Sequence, residues 1–357
     1  MDRQKGGKVL EHLRALVSRH AKVLLDKANV VGVGVGCKET GGRRTQREAV
    51  VVLVRRKMPS SRLRRADLVP RVLSDAETDV VEVGEIRLLP AAEPVRAALL
   101  DEHERRRRVR PARPGVSVGH YQVTAGTFGA LVRDRRDGRP MVLSNNHVLA
   151  NLSNGRDGRA EAGDPIYQPG RYDGGTRDDT IAHLERFVPI IPSASEEECP
   201  VARRVEAAGN FVLRHFFPGR RMKLFRATGG ENLVDAAVAT LVRAEDAVED
   251  ILGLGRVEGV AEPAVGLAVV KSGRTSGVTT GEIRVIGATV KVGLGEVGTA
   301  VFTDQIVTTA MAEPGDSGSL LLTAEGHEAV GLLSAGSSLA TVHSRISNVL
   351  DLLGVSF

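Results

Sequence analysis

A mainly β body preceded by a small α+β segment is the fold class that the sequence predicts, on three observations. Forty glycines in 357 residues, with 3% aromatics and no tryptophan, suit many turns between short Val/Ile/Leu strands. Residues 8–27 carry Val9, Leu10, Leu13, Leu16, Val17, Val23 and Leu24 at helical spacing, so one helix with a buried stripe opens the chain. Three separated blocks then each set one reactive side chain at the end of an apolar strand: Leu143-Ser144-Asn145-Asn146-His147-Val148-Leu149, Asn232-Leu233-Val234-Asp235-Ala236-Ala237-Val238-Ala239 and Glu313-Pro314-Gly315-Asp316-Ser317-Gly318-Ser319-Leu320-Leu321-Leu322.

After the first helix, Val30 to Cys37 and Ala49 to Val54 flank the Gly41-Gly42 turn as a hairpin, and Asp79 to Val83 reads as a third strand. Residues 1–92 are therefore expected to form the α+β domain. Gly32, Gly34 and Gly36 lie inside a strand with no helix directly after them, which disfavours a phosphate loop and favours close strand packing against the first helix. Residues 93–113 read as a charged helical connector ending in the basic run Arg105 to Arg113. With no interleaved aromatics or nucleic-acid motif, that run reads first as a solvated linker, then as a polyanion contact or a processing site. Residues 114–357 hold the body, with strands at Gly126 to Val132 and Pro140 to Ser144, a Gly/Asp/Pro-rich loop at 150–178 and an insertion at about 190–230. Within the insertion a helical piece is expected around Val201 to Ala208.

The three blocks point to one chemistry. A serine between glycines in a tight turn presents its hydroxyl away from the backbone, and the amides of Gly315 and Ser317 converge where an oxyanion would form. His147 stands where a general base is needed, and Asp235 heads the strand that would place a carboxylate behind it. Asp179, in Asp178-Asp179-Thr180-Ile181-Ala182, is the rival carboxylate. The order His, Asp, Ser is one of three common triad orders.

These blocks resemble the catalytic segments of trypsin- and chymotrypsin-like serine proteases. Lys271-Ser272-Gly273-Arg274-Thr275-Ser276-Gly277-Val278-Thr279-Thr280-Gly281-Glu282-Ile283 resembles the Gly-rich strand pair that follows the aspartate in HtrA/Deg-type members, which favours Asp235 over Asp179. Val30 to Gly36 reads Val-Val-Gly-Val-Gly-Val-Gly and resembles the N-terminal domain of a mostly bacterial group related to the plant narrow-leaf protein. The resemblance spans roughly residues 10–355. It implies two six-stranded antiparallel β-barrels and a serine endopeptidase with His147, Asp235 and Ser317 as triad, acting through an acyl-enzyme on peptide or protein substrates without metal or organic cofactor. A catalytically weak, protease-like peptide-binding or scaffold protein is the alternative. The resemblance further implies Met311 at the base of the substrate pocket, where an aspartate would select Lys or Arg. It makes Ser334-Ala335-Gly336 the wall strand and brings His343 towards the same pocket, either to favour an acidic side chain or as an ordinary strand residue. Asp316 is implied to anchor the oxyanion turn through a buried partner, with simple solvent exposure as the alternative.

Composition narrows the setting. Two cysteines, Cys37 and Cys199, far apart in sequence, exclude a disulfide-rich secreted scaffold and suit a reducing compartment. Cys37 has no evident base beside it and reads as an inert small residue. The polar start Met1 to Lys8 is unlike a secretory leader, and no run is long and apolar enough for a bilayer, so a cytoplasmic location without membrane partners is expected. Net charge +5 permits only weak attraction to nucleic acid. Regulating access, recruiting a target and mediating homo-oligomerisation are three roles open to the N-terminal domain.

Overall fold

The computed structural model describes residues 2–41, 43–89, 102–196, 200–217, 220, 222, 225–227 and 230–357. Cys199 and the first part of the connector, residues 93–101, lie outside them.

The chain opens with helix α1 (Asp2–Leu25), whose Leu13, Leu16, Val17, Ala21, Leu24 and Leu25 are buried, while Val9 and Val23 of the expected stripe face solvent. Strands β1 (Val30–Thr40) and β2 (Arg43–Val54) form the hairpin, and β4 (Ala76–Glu82) adds parallel to β2 after the short β3 (Val72–Leu73). Val33 and Val35 of β1 share a core with α1. The glycines between them pack elsewhere than expected. A Cβ on Gly34 would meet Val285 Cγ1 at 2.5 Å and Ala288 at 3.0 Å, so the bare backbone lies against a later strand rather than the helix. A two-residue strand β5 (Arg87–Leu88) and helix α2 (Glu102–Arg106) come next.

The next unit is an antiparallel sheet. It takes β6 (Ser117–His120), β7 (Gly126–Thr127), β8 (Ala130–Asp134), β9 (Pro140–Ser144), the short helix α3 (Asn146–Leu149), β10 (Pro165–Tyr167) and β11 (Thr180–Phe187). The insertion holds β12 (Ala194–Glu196), helix α4 (Pro200–Phe216), twice the expected length, and β13 (Phe225–Ala227). The short β14 (Glu231–Asn232) comes before β15 (Ala237–Leu241), which returns to the first sheet between β9 and β11. Its core is Val118, Phe128, Val142, Leu149, Ile166, Ile181 and Leu184.

The second body begins after β16 (Gly259–Val260). Strands β17 (Ala268–Gly273), β18 (Gly277–Gly293), β19 (Thr299–Thr309), β20 (Leu320–Thr323), β21 (Glu328–Gly336) and β22 (Ala340–Arg345) pair in the ring β18-β19-β22-β21-β20-β17-β18. Every pairing is antiparallel and the ring closes, so this is a six-stranded barrel with no free edge. Helix α5 (Ile346–Leu353) then packs Ile346, Val349, Leu350 and Leu353 into a core with Leu143, Leu320 and Leu332, and β23 (Val355–Ser356) returns to β8.

The fold is mainly β with the two-barrel layout that the resemblance implied, and the halves differ. The second barrel has six closed strands. The first sheet runs as an open path of eight, β23-β8-β9-β15-β11-β10-β6-β7, because β23 and β7 extend its two ends without pairing to each other. The 17-residue β18 also carries β1 along part of its length, so the sheet of the N-terminal segment is continuous with the second barrel. No helix among the described residues is long and apolar enough to cross a membrane.

Candidate active site

The three blocks are neighbours: β9 and β15 pair, which joins the His147 and Asp235 blocks, and Gly318 of the serine turn backs onto Ser144 at the end of β9. His147 lies in α3, just past the end of β9; Asp235 lies two residues before β15, the neighbour of β9; Ser317 lies three residues before β20. The two asparagines before His147 fix its turn. Asn145 Nδ2 donates to the Asp235 carbonyl at 2.7 Å, and Asn146 Nδ2 donates to Ser153 O and Val188 O at 2.9 and 2.8 Å.

His147 Nδ1 lies 2.5 Å from Asp235 Oδ2, and the His147 amide donates to Oδ1 at 3.2 Å. Asp235 is fully buried, which makes this two-point contact the setting of the imidazole plane and of its tautomer. The rival Asp179 is elsewhere: it closes a capping box on Thr176 and pairs with Arg108 at 3.2 Å. His147 Nε2 is buried with no hydrogen-bond partner among the described residues.

Ser317 sits in a turn whose backbone only glycine suits. Gly315 and Gly318 have φ of +100° and +92°. A Cβ on Gly318 would fall 2.0 Å from Ser144 Oγ, and one on Gly315 would fall 2.5 Å from Thr275 Oγ1. Barrel-to-barrel bonds hold the turn in place: the Thr127 amide donates to Ser317 O at 2.7 Å and Thr127 Oγ1 donates to Gly315 O at 3.0 Å. The Gly315 amide donates to the carbonyl of Leu89 at 2.9 Å, and Ser317 Oγ donates to the same oxygen at 3.3 Å.

Asp316, between them, points the other way into the protein. Its Oδ1 accepts from the Thr275 and Ser276 amides at 2.8 and 3.1 Å; its Oδ2 accepts from Lys271 Nζ at 2.8 Å, Ser276 Oγ at 2.5 Å and the Glu313 amide at 2.9 Å. Burial alone would push this carboxyl up, but the Lys271 charge and the hydrogen bonds outweigh it and hold it below the usual carboxylate range. Lys271, also fully buried, has its ordinary pKa pulled down by burial against the opposing pull of Asp316. Lys271 is the anchor's partner that sequence reasoning missed; its only local signal is a lysine closing the apolar run Val269-Val270.

Of the pocket residues, Ser334 and Gly336 lie at the end of β21, which carries β5 beside it. Met311 lies beside Thr341 of β22, the strand that pairs with the end of β21. It is buried in the core shared with α1, its backbone held by Thr341 Oγ1 and Thr279 Oγ1, and its sulfur would lie 2.8 Å from a Cβ on Gly281. His343 is fully buried, with Nε2 3.1 Å from Thr308 Oγ1, and burial followed by the Lys271 charge pushes its pKa down to about 3. It is a neutral core histidine.

The basic run is not simply solvated. Arg105 is 1% exposed and donates to Gly115 O, Ser272 Oγ, Gly273 O and Leu252 O, because these acceptors converge on the one cavity its guanidinium fills. Arg107 and Arg108 stay exposed in ion pairs with Glu104 and Asp179. Cys37 is half-buried, and burial raises its thiol pKa.

No protein-family model matches the chain. Among curated proteins, a 106-residue stretch is 37% identical to streptogrisin-D of Streptomyces griseus, covering 30% of this chain and 21% of that protein. A 121-residue stretch is 34% identical to serine protease 2 of Streptomyces fradiae, covering 34% of this chain and 60% of the relative. The chain thus spans from about a fifth to three fifths of these relatives. Among solved structures it is similar to Thermobifida fusca protease A (20% identity, TM-score 0.42, 68% of this chain and 96% of that one) and to a Nocardiopsis protease (17%, 0.42, 68% and 96%). The similarity is to trypsin/chymotrypsin-like serine proteases.

Proposed function

We propose that this chain is a serine endopeptidase using His147, Asp235 and Ser317. The observations that carry the reading are one carbonyl, that of Leu89, held by both the Gly315 amide and Ser317 Oγ, and the buried His147–Asp235 pair. In the proposed reaction Ser317 Oγ attacks a peptide carbonyl while His147 Nε2 takes the hydroxyl proton. The same nitrogen then protonates the leaving amine, and water repeats the sequence to free the acyl group. Asp235 fixes the tautomer with Nδ1–H donating and stabilises the imidazolium. The Gly315 and Ser317 amides stabilise the oxyanion, with about 3–4 kcal/mol lost per donor removed in comparable sites. The Lys271–Asp316 pair keeps that turn in the donating conformation. The Val30–Gly36 phrase supports placing the chain in the narrow-leaf-related group, and the β17–β18 hairpin supports the HtrA-like reading of residues 271–283.

The test is labelling of the purified chain with a fluorophosphonate, with Ser317→Ala as control. Covalent labelling that disappears in the variant is expected. A chain that stays unlabelled while folded would instead be a protease-fold peptide binder.

A further inference from the structure

Resting on that reading of the site, we propose that it takes an extended peptide with a leucine-like apolar side chain at the acyl position, and that residues 87–89 of the same chain are its first ligand. In the intact chain the active site is filled from within.

The geometry is that of a substrate strand. β5 pairs antiparallel with the end of β21, Leu88 opposite Ala335 and Arg87 opposite Gly336. Carried one step on, the register sets Leu89 opposite Ser334. Strand addition to a sheet edge takes affinity from the main chain and specificity from alternate side chains. Here the main chain delivers the Leu89 carbonyl oxygen to the Gly315 amide at 2.9 Å and to Ser317 Oγ at 3.3 Å, the position a scissile carbonyl occupies. The Leu89 side chain packs on Gly336: its Cδ1 lies 3.2 Å from where a Cβ on that glycine would be, so the wall is open because residue 336 has none. The buried His343, the one titratable candidate for an acidic preference, is bonded to Thr308 and held neutral.

Occupation needs little intrinsic affinity, because a short tether supplies an effective concentration on the order of millimolar. The residue after Leu89 keeps the ligand whole. It is Pro90, so the bond between them is a tertiary amide whose nitrogen carries Cδ in place of a proton and crowds the residue before it. The segment binds as substrate and leaves poorly as product.

The experiment uses the full chain and three readouts. Leu89→Asp places a charge against the apolar wall; its fluorophosphonate labelling rate is expected to rise about tenfold over the unsubstituted chain, the factor lost to a tethered competitor at ten times its dissociation constant. Pro90→Ala restores an ordinary secondary amide. Ser317 is then expected to attack the Leu89 carbonyl, the bond after Leu89 breaking as its nitrogen takes the proton held by His147. Water frees the Leu89 carboxylate from the ester, and intact mass shows fragments 1–89 and 90–357. Adding Ser317→Ala must abolish this. On fluorogenic peptides, leucine at the acyl position is expected to exceed glutamate and lysine by at least about tenfold in kcat/KM. Equal labelling of Leu89→Asp and the unsubstituted chain, with Pro90→Ala remaining whole or an acidic or basic preference, overturns the inference and leaves the protease reading standing. No labelling of any variant overturns both.

Discussion

Asp235 and Asp316 are both fully buried carboxylates a few residues before a strand, yet their surroundings differ. Asp316 faces five donors, and its cation Lys271 has its three N–H groups taken by Asp316, Ser276 and Gly277 O. The Asp235 carboxylate is bonded by a single residue among those described, His147, whose far nitrogen is left without a partner among them. A closed network holds shape; a network with one open valence can pass a proton. The two aspartates belong to the same cleft, and only the second arrangement can cycle.

The sharpest way to break this contrast is Asp235→Asn. The amide keeps the volume and can still hydrogen-bond, but it favours the wrong tautomer of His147. A fall in kcat of about 10⁴-fold is expected, with an unfolding midpoint in urea close to that of the unsubstituted chain. A loss of stability with little loss of rate would make Asp235 a scaffold residue like Asp316.

How far the sequence foretold this cleft depends on the range of each interaction. His147, Asp235 and Ser317 were legible because each stands in a short local pattern whose turn and strand chemistry is carried by its immediate neighbours. Lys271 was not, since its role depends on Asp316, which is 45 residues away and reaches it only through the closure of the barrel. Leu89 was still less so: the two-residue strand before it has no periodicity, and its partners lie on β21, some 247 residues further on. The same limit explains the glycines of β1, correctly read as a close approach but assigned to the helix when the neighbour is β18. Arg105 shows the converse, a residue inside a charge run whose burial is set by the nearby Gly115 carbonyl and by carbonyls from two distant segments.

Asp316→Asn should act on the opposite axis. It leaves the buried Lys271 ammonium without its counter-charge, and breaking a buried pair from one side costs about 3–5 kcal/mol. Chemical denaturation should show that loss, and Lys271→Met in the Asp316→Asn background should recover part of it because the stranded charge is gone. Activity measured well below the unfolding transition should fall less than in Asp235→Asn. If Asp316→Asn left stability unchanged, the closed network would not be what holds the oxyanion turn.

His343 supplies the smallest effect and the control histidine. It shares with His147 near-complete burial but has Thr308 where His147 has a carboxylate, and its pKa is pushed down to about 3 by burial and then by the Lys271 charge. The unfolded chain protonates this ring near 6.5 while the folded chain refuses the proton until about 3. Its contribution to stability is therefore full above 6.5 and is lost as pH falls through that window, by up to roughly 1.4 kcal/mol per pH unit. His343→Gln, which cannot take the proton, should flatten the stability profile between those values while leaving the alkaline side unchanged. Denaturation midpoints of both chains across that range measure the difference. An unchanged acid slope would mean that His343 is charged in the folded protein, and the distinction between a histidine kept neutral by the core and one kept ready by a carboxylate would fall.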